Sequence, residues 1–371
     1  MKVRNGSNYF NNTGDENQKD SEANINDDEI FLSSMDKVVA FSIVYGVLFI
    51  VSVGGNALVC IVISKKRDMR TVTNLFLLNM AASDMFSTLF AVPSLLATEI
   101  SPNRWPLGDF MCPATNVIST ISVSVSIYSM VALALERYQA IVNPFTVRAS
   151  RHSYKRVTIV ILAIWLGSCG IAAPQAWVVS TTGRAPNKRC AEDWKDHGDV
   201  TGNRVYTVTA FVVLFVIPIL VISISYAIIM YNLWQPERVL TNHQSQSVTG
   251  EKEQASPYKL TIHGTKKKRK TIYMLLTVII VFLVCMLPFQ IIILVIRFID
   301  ISHPEALATA IKISSVLAVC SMACNPFIYS FFSEKFRRAF LDVFKCQCED
   351  DSQLGNTQSS IILLSSTVLR K

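Results

Sequence analysis

The chain has 371 residues, of which 51% are hydrophobic and only 17% are charged, and its formal net charge is +8. So few charged side chains argue against a chain of ordinary water-soluble domains of this length. The basic residues cluster between apolar runs and are not spread over one soluble face, so the positive charge does not indicate nucleic-acid binding. The composition favours a single domain embedded in lipid.

Seven stretches of the chain are long and apolar enough to cross a bilayer as helices. A bilayer core of roughly 30 Å needs about 20 apolar helical residues. The predicted spans are Val38–Ser64, Asn74–Thr98, Phe110–Leu135, Val157–Val178, Val205–Trp234, Thr271–Ile296 and Ile313–Phe331. Asp84 is the only acidic or basic residue inside them. The sequence therefore predicts an all-α membrane protein, a bundle of seven transmembrane helices.

The distribution of Lys and Arg predicts which segments face the cytoplasm, because cytoplasmic loops carry the excess of these residues. The basic loops are those after the first, third and fifth spans, as in the run Lys266 to Lys270. The N-terminal tail, residues 1–37, is acidic and holds two glycosylation sequons, at Asn5 and Asn11. We predict a multi-pass protein of the plasma membrane with an extracellular N-terminus and a cytoplasmic C-terminus.

Each predicted span also carries a short motif. The motifs are Gly55-Asn56, Asn79 to Asp84, Glu136-Arg137-Tyr138, Trp165, Pro218 with Tyr226, Phe282 with Pro288, and Asn325-Pro326-Phe327-Ile328-Tyr329. A carboxylate near the bilayer centre costs at least ~2.5 kcal/mol, so Asp84 is a functional candidate. Prolines inside helices free backbone carbonyls and are candidate hinges. Together, over about residues 38–348, these motifs resemble the rhodopsin-like G-protein-coupled receptors.

The resemblance implies a sodium pocket around Asp84. The matching oxygen-bearing positions are Asn56, Ser126, Ser321 and Asn325. Carboxylate, hydroxyl and amide oxygens suit a hard cation such as sodium. The alternative is that Asp84 is a buried hydrogen-bonding residue with a structural role. Apart from a regulatory sodium ion, no cofactor is expected.

Two cysteines are expected to face the extracellular side. Cys112 begins the third span and Cys190 lies in the loop before the fifth, and the resemblance implies a disulfide between them. In the same loop, β-forming residues flank the turn sequence Gly183-Arg184-Ala185-Pro186-Asn187, which predicts a hairpin. The disulfide would hold this hairpin over the mouth of the bundle.

At the other end of the bundle the resemblance implies a surface that contacts a heterotrimeric G protein. Its residues are Glu136, Arg137, Tyr138, Tyr226, Asn325, Pro326 and Tyr329. Arg137 follows Cys112 by about 37 Å of helix, which places it across the bilayer from the hairpin. Many members of the family have an acid on the sixth helix that pairs with this arginine. Here Lys268 stands at the depth expected of Arg137, so that contact is missing.

A packing switch between the two ends is also implied by the resemblance. Its positions are Ile127, Pro218, Phe282, Met286 and Pro288. Met286 stands where the family usually has Trp, so an account of activation by a rotating indole does not carry over.

Beyond the receptor domain, residues 38–331, aromatic and basic residues alternate in a short segment. Phe332, Phe336, Phe340 and Phe344 recur every four residues, which predicts a short amphipathic eighth helix on the membrane surface over residues 332–348. Cys346 and Cys348 are then candidate palmitoylation sites. The Ser-rich tail, residues 349–371, is a candidate substrate of a receptor kinase and binding site for arrestin.

The predicted outer rim favours a peptide ligand. Its polar residues are Glu99, Ser119, Thr120, Gln175, Gln290 and Arg297. The third span lacks the Asp of amine receptors and the seventh lacks the retinal-binding Lys of opsins. Pro174-Gln175, with Trp105-Pro106-Leu107-Gly108, resembles neuropeptide receptors of the neuropeptide Y, RFamide and orexin-like group. We expect a neuropeptide receptor and no enzymatic activity.

Two alternatives stay open at this stage. The rim charges could simply be solvated, in which case the ligand would be a small non-peptide molecule such as a lipid or a metabolite. A membrane transporter or channel is the other alternative. It is disfavoured because a transport path usually needs several intramembrane charges or broken helices, and here there is one Asp.

Overall fold

The computed structural model describes residues 13–101, 104–142, 153–184, 188–194, 200–244, 257–299 and 304–345. Within them, the side chains of residues 13–34, 153, 200, 234–244, 257–268, 304 and 344 lie outside the description. The α-helices of the described residues are α1 (Thr13–Lys65), α2 (Val72–Ile100), α3 (Met111–Val142), α4 (Ser153–Val178), α5 (Val200–Phe211), α6 (Ile217–Gln244), α7 (Pro257–Ile296), α8 (Pro304–Phe332) and α9 (Glu334–Phe344).

Seven segments are long and apolar enough to cross a membrane, so the prediction of seven spans is confirmed. The segments are Met35–Lys65, Val72–Ile100, Met111–Val142, Tyr154–Val178, Thr201–Leu233, Arg269–Ile296 and Glu305–Phe332. The fifth comprises α5, a π-helical turn (Val212–Val216) and α6, while α7 and α8 form the sixth and seventh. The seventh helix begins well before Ile313, because Lys312 pairs with Glu99 and does not end the helix.

Some helices continue beyond the predicted membrane boundaries. Helix α1 begins at Thr13, and α6 and α7 extend to Gln244 and from Pro257 into the predicted third cytoplasmic loop. These polar segments have no amphipathic period, which is why hydrophobic patterning predicted no helix there. The segment that precedes the sixth span contains Lys259, Lys266, Lys267 and Lys268, and lysine continues a helix once it has started.

The helices pack as a bundle with α3 at its centre, in contact with α2, α4 and α6. Helix α1 packs against α2 and α8, and α7 packs against α8. Large apolar side chains such as Ile50, Leu166 and Phe331 point outward and are exposed. An outer surface of this kind is expected where lipid, and not water, surrounds the helices.

A β-hairpin covers one end of the bundle, which we call the hairpin end. Strands β1 (Val179–Thr182) and β2 (Arg189–Glu192) are antiparallel, with Thr181 opposite Cys190. The turn after β1 begins at Gly183, whose φ of +98° favours glycine. A disulfide joins Cys190 to Cys112 at the start of α3, with the two Cα atoms 5.5 Å apart. The predicted hairpin and disulfide are both confirmed.

At the opposite end, the Arg137 end, the short helix α9 follows the seventh span. The hydroxyl of Ser333 accepts a hydrogen bond from the Phe336 amide at 3.5 Å and caps the helix, so the break between α8 and α9 falls at Ser333. Phe336 and Phe340 are buried, and the ring centroids of Phe336 and Tyr329 lie 5.6 Å apart. Arg337 and Arg338 are exposed on the other face. The prediction of an amphipathic eighth helix is confirmed.

Candidate ligand cavity and signalling sites

A cavity of about 340 Å³ lies between the helices at the hairpin end. Its walls differ in chemistry. Small polar residues of α2, α3 and α8 form one side, and they include Ser87, Ser94, Thr115, Asn116, Ser119 and Ser315. Apolar residues of the fifth and sixth spans form the other, and they include Phe211, Leu214, Phe215, Met286, Phe289 and Ile293. Such a cavity suits a ligand with hydrogen-bonding groups on one side and apolar groups on the other.

Five of the six predicted pocket residues line this cavity. They are Ser119, Thr120, Gln175, Gln290 and Arg297. The Thr120 hydroxyl and the Gln175 side-chain oxygen lie 2.6 Å apart, which joins the third span to the fourth.

Glu99 does not line the cavity. Its carboxylate is buried and binds the Lys312 ammonium at 2.7 Å, and Lys312 also lies 5.7 Å from the ring centroid of Phe41. Its place on α2 turns it toward the first and seventh spans. The prediction that Glu99 belongs to the ligand pocket is therefore corrected.

An ion pair crosses the mouth of the cavity between the hairpin and the sixth span. The Arg297 guanidinium binds the Glu192 carboxylate at 2.5 Å. The Trp194 indole donates a hydrogen bond to the same carboxylate oxygen at 3.2 Å, and Arg204 donates to the Arg297 carbonyl at 3.0 Å. Glu192 lines the cavity. This role was not predicted from the sequence.

A second ion pair ties the hairpin to the loop before α3. The Asp109 carboxylate accepts hydrogen bonds from the Lys188 ammonium, at 2.7 Å, and from the Thr181 hydroxyl, also at 2.7 Å. These hydrogen bonds, with that from Lys188 the larger, hold the pKa of Asp109 below its usual value. The Trp105 amide also donates to the Lys188 carbonyl at 2.7 Å. The hairpin is thus held at several points besides the disulfide.

Inside the bundle, the Asp84 carboxylate receives hydrogen bonds from two of the predicted sodium-pocket residues. The Ser126 hydroxyl donates at 2.9 Å and the Asn325 amide at 2.8 Å. Asp84 is 4% exposed, and among the described residues no basic side chain contacts it. When this carboxylate is ionised, its charge has no cationic partner among the described residues, so a small cation could balance it.

The other two predicted sodium-pocket residues make backbone contacts. The Asn56 side chain donates to the carbonyls of Ser52 and Met322, both at 2.9 Å, and the Ser321 hydroxyl donates to the Ala318 carbonyl at 2.7 Å. The Asn56 side-chain oxygen is buried without a partner among the described residues. Asn56 thereby joins the first span to the seventh.

At the Arg137 end, the arginine of the third span binds its neighbour. The Arg137 guanidinium donates to Glu136 at 2.8 Å and also to the hydroxyl of Thr73 at the start of α2, a contact that sequence reasoning missed. The hydroxyls of Tyr226 and Tyr329 are buried without a partner among the described residues. Arg137, Tyr226 and Tyr329 therefore remain candidate residues for coupling to a G protein.

The remaining predicted coupling residues have varied positions. Tyr138 is partly buried against the apolar core. Pro326 packs against Gly55, where an added Cβ would lie 2.9 Å from the proline Cγ, so glycine is required at that position. Lys268 lies within α7, but its side chain is outside the described residues.

The predicted packing switch lies in the core of the bundle. Ile127, Phe282 and Met286 are buried in one apolar cluster, and Met286 also lines the cavity. Pro218 is buried directly after the π-helical turn, which the sequence did not predict. Within this turn the Val213 carbonyl accepts a hydrogen bond from the Tyr128 hydroxyl at 3.0 Å.

Pro288 is partly buried within α7, the helix that carries Phe282 and Met286. The predicted modification sites, Asn5, Asn11, Cys346 and Cys348, lie outside the described residues.

Comparison with known proteins places this geometry in a family. Mouse neuropeptide FF receptor 2 is 30% identical, over 88% of this chain and 78% of its own length. The rat pyroglutamylated RF-amide peptide receptor is 28% identical over 84% and 70%, and the QRFP-like peptide receptor of Branchiostoma floridae is 30% identical over 82% and 77%. Residues 55–329 match the model of the 7 transmembrane receptor (rhodopsin family). Because this match runs from within the first span to the end of the seventh, the chain belongs to the rhodopsin family of seven-transmembrane receptors and is not an enzyme.

Proposed function

We propose that this receptor binds an extracellular neuropeptide with an amidated C-terminus and signals to a heterotrimeric G protein. This proposal rests on the chemistry of the cavity. Its deeper lining is uncharged, with small polar residues facing apolar ones, and its two charged residues lie at the mouth. A free carboxylate would lose its hydration there without gaining a cationic partner, whereas a neutral amide could use the polar side. Two of the similar proteins are receptors for RF-amide or QRFP-like peptides, which supports the same ligand class.

The test is a peptide screen on cells that express the receptor at their surface, with calcium and cyclic AMP as readouts. We expect a response to amidated peptides ending in Arg-Phe-amide and a much weaker one to the same peptides with a free carboxylate. A response to lipids or small metabolites alone would favour the non-peptide alternative. Substrate flux without a second messenger would favour a transporter.

The same proposal assigns the two ends of the bundle to opposite sides of the membrane. The hairpin end and the N-terminus face the extracellular space, and the Arg137 end, α9 and the tail face the cytoplasm. A receptor kinase and arrestin would act on the Ser-rich tail, residues 349–371. Antibody access to a tag at each terminus, with and without permeabilisation, tests the orientation. Agonist-dependent phosphorylation of the tail, followed by arrestin recruitment, tests the partners.

Two further proposals concern ions and modifications. Asp84, Ser126 and Asn325 would hold a sodium ion, with Asn56 and Ser321 in the surrounding shell, and the ion would stabilise the inactive conformation. Glycans at Asn5 and Asn11 and palmitate at Cys346 and Cys348 would mark the two sides of the membrane. Glycosidase treatment and hydroxylamine-sensitive labelling, each against the corresponding substitutions, test the modifications.

A further inference from the structure

Only two charged side chains line the cavity among the described residues, and they bind each other. Glu192 reaches the mouth from β2 and Arg297 from the end of the sixth span. Both are largely shielded, with side-chain exposures of 28% and 23% respectively. A ligand that enters the cavity must therefore pass directly beside this pair.

The two residues of the pair differ in how many of their hydrogen-bonding groups have a partner. One oxygen of Glu192 accepts hydrogen bonds from both Arg297 and Trp194. Arg297 uses one terminal nitrogen for this contact, while its Nε is buried without an acceptor among the described residues. A guanidinium carries five N–H donors in a planar fork that matches a carboxylate in two-point contact. The other terminal nitrogen of Arg297 also has no acceptor among the described residues, so the arginine retains donors that a ligand in the cavity could use.

A second arginine, Arg204, contacts the backbone of Arg297. Arg204 donates to the carbonyl of Arg297, and its guanidinium carbon is 5.5 Å from the ring centroid of Phe298. Arg204 is exposed and does not line the cavity.

We propose that Arg297 is a subsite for a carboxylate of the ligand, an Asp or Glu side chain close to the amidated end of the peptide. This inference rests on the proposed peptide function. The ligand carboxylate would take the free donors of Arg297 while Glu192 keeps its contact with the other side of the fork. The receptor would therefore distinguish between amidated peptides by the charge of a residue near their C-terminus.

The test uses two series of amidated peptides that end in Arg-Phe-amide. One series carries a single Glu at each of the three positions before the Arg, and the other carries Gln at the same positions. On the parent receptor, we expect one Glu peptide to be about tenfold more potent than its Gln match, as for a hydrogen-bonded charge. On Arg297→Gln this preference should disappear, and on Arg297→Glu it should reverse, so that the Gln peptide becomes the more potent of the pair.

Arg204→Gln is the matched control, because it removes a neighbouring guanidinium that does not line the cavity, and it should keep the preference for Glu. Equal potency of the Glu and Gln peptides on the parent receptor would overturn the subsite while leaving the peptide function intact. So would a Glu preference that survives in Arg297→Gln. If no amidated peptide acts on the parent at matched surface expression, the proposed function and the subsite both fall.

Discussion

The carboxylate of Asp84 combines two properties that rarely occur together, deep burial and partners that are all neutral. Ser126 and Asn325 each donate one hydrogen bond to it, and hydrogen bonds of this kind stabilise a charge without cancelling it. Both donors lie on helices other than α2. A cation bound at Asp84 would therefore also hold the third and seventh spans in their present arrangement.

We expect Asp84→Asn to abolish the effect of sodium on agonist binding. In the parent, replacing choline chloride by sodium chloride at equal ionic strength should weaken agonist binding, because the proposed sodium ion would stabilise the inactive arrangement. By linkage, agonist must weaken sodium binding by the same factor. Glu99→Gln is a suitable control, since it removes a different buried carboxylate, one paired with Lys312. If Asp84→Asn kept the full sodium effect, Asp84 would have only a structural role.

Asp109 permits a prediction about pH. Its pKa is lowered in the folded receptor, so the contact with Lys188 is present above the ordinary pKa of an Asp and is lost only as the pH falls through that lower value. Between about pH 8 and about pH 5 the contact should therefore not change. We expect Asp109→Asn to weaken agonist binding by the same factor at both ends of this range. An effect of Asp109→Asn that disappeared at the acidic end would contradict this assignment.

At the scale of elements, the hairpin is attached to the bundle by covalent and ionic contacts on different sides. The disulfide fixes the middle of β2 to α3, Asp109 fixes the turn side, and Arg297 fixes the far end of β2 to the sixth span. The hairpin is therefore ordered before a ligand arrives. Ordering a loop at the moment of binding would reduce the affinity of the ligand.

We predict that Cys190→Ala abolishes surface expression or strongly weakens agonist binding, because the loop would then lose its covalent attachment. Radioligand binding at equal surface density measures this effect. Cys169→Ala is the control, since Cys169 is a free, exposed cysteine on α4 that takes no part in the disulfide. Unchanged affinity in Cys190→Ala would mean that the ionic contacts alone hold the hairpin in place.

Two ion pairs join helix α9 to other parts of the Arg137 end, one of them to the sixth span. Lys270 lies 4.0 Å from Glu334 of α9, and Lys66 binds Asp342 of the same helix at 2.5 Å. Lys270 and Glu334 are both more than half exposed, and pairs of this kind contribute about 1 kcal/mol or less. Arg137 itself is held by Glu136 and Thr73 on the second and third spans. At the same end of the sixth span, Arg269 donates a hydrogen bond to the Leu233 carbonyl of the fifth span at 3.1 Å. None of these described contacts joins the sixth span to Arg137.

We therefore expect measurable G-protein activation without ligand. Lys268→Glu should reduce this basal activity several-fold, because the new carboxylate would pair with Arg137 and stabilise the closed state. A tenfold shift in the equilibrium between the two states corresponds to about 1.4 kcal/mol. Basal G-protein activation at matched surface expression is the measurement. Lys270→Glu makes the same change of charge two residues away but repels Glu334, so it should not reduce the basal signal. A parent signal at background, or one unmoved by Lys268→Glu, would show that another contact holds the closed state.

At the scale of the whole molecule, the fold can be predicted from the sequence because the membrane restricts what the helices can contain. Helices that cross a lipid core must be long and nearly free of charge, and this constraint predicts the seven spans. The hairpin was likewise predictable, because its turn sequence is local. The disulfide followed from the resemblance to a family.

The contacts between distant elements could not be predicted in the same way. The pairing of Glu99 with Lys312, of Arg137 with Thr73 and of Glu192 with Arg297 depends on how helices rotate against one another. Spacing along one segment does not fix that rotation. The π-helical turn before Pro218 had a partial signal, since a proline frees a carbonyl, but its length and its contact with Tyr128 arise from packing.

The ion pair between Glu99 and Lys312 has a consequence for how the receptor is made. The two residues are 213 positions apart in the chain, so at 5–20 residues per second roughly 10 to 40 seconds of synthesis separate them. Until the last helix emerges from the ribosome, Glu99 cannot pair with Lys312, so the unfinished bundle lacks this contact. Replacing Lys312 should therefore reduce the number of receptors released from the endoplasmic reticulum. Those that reach the cell surface should bind ligand normally, because neither residue lines the cavity.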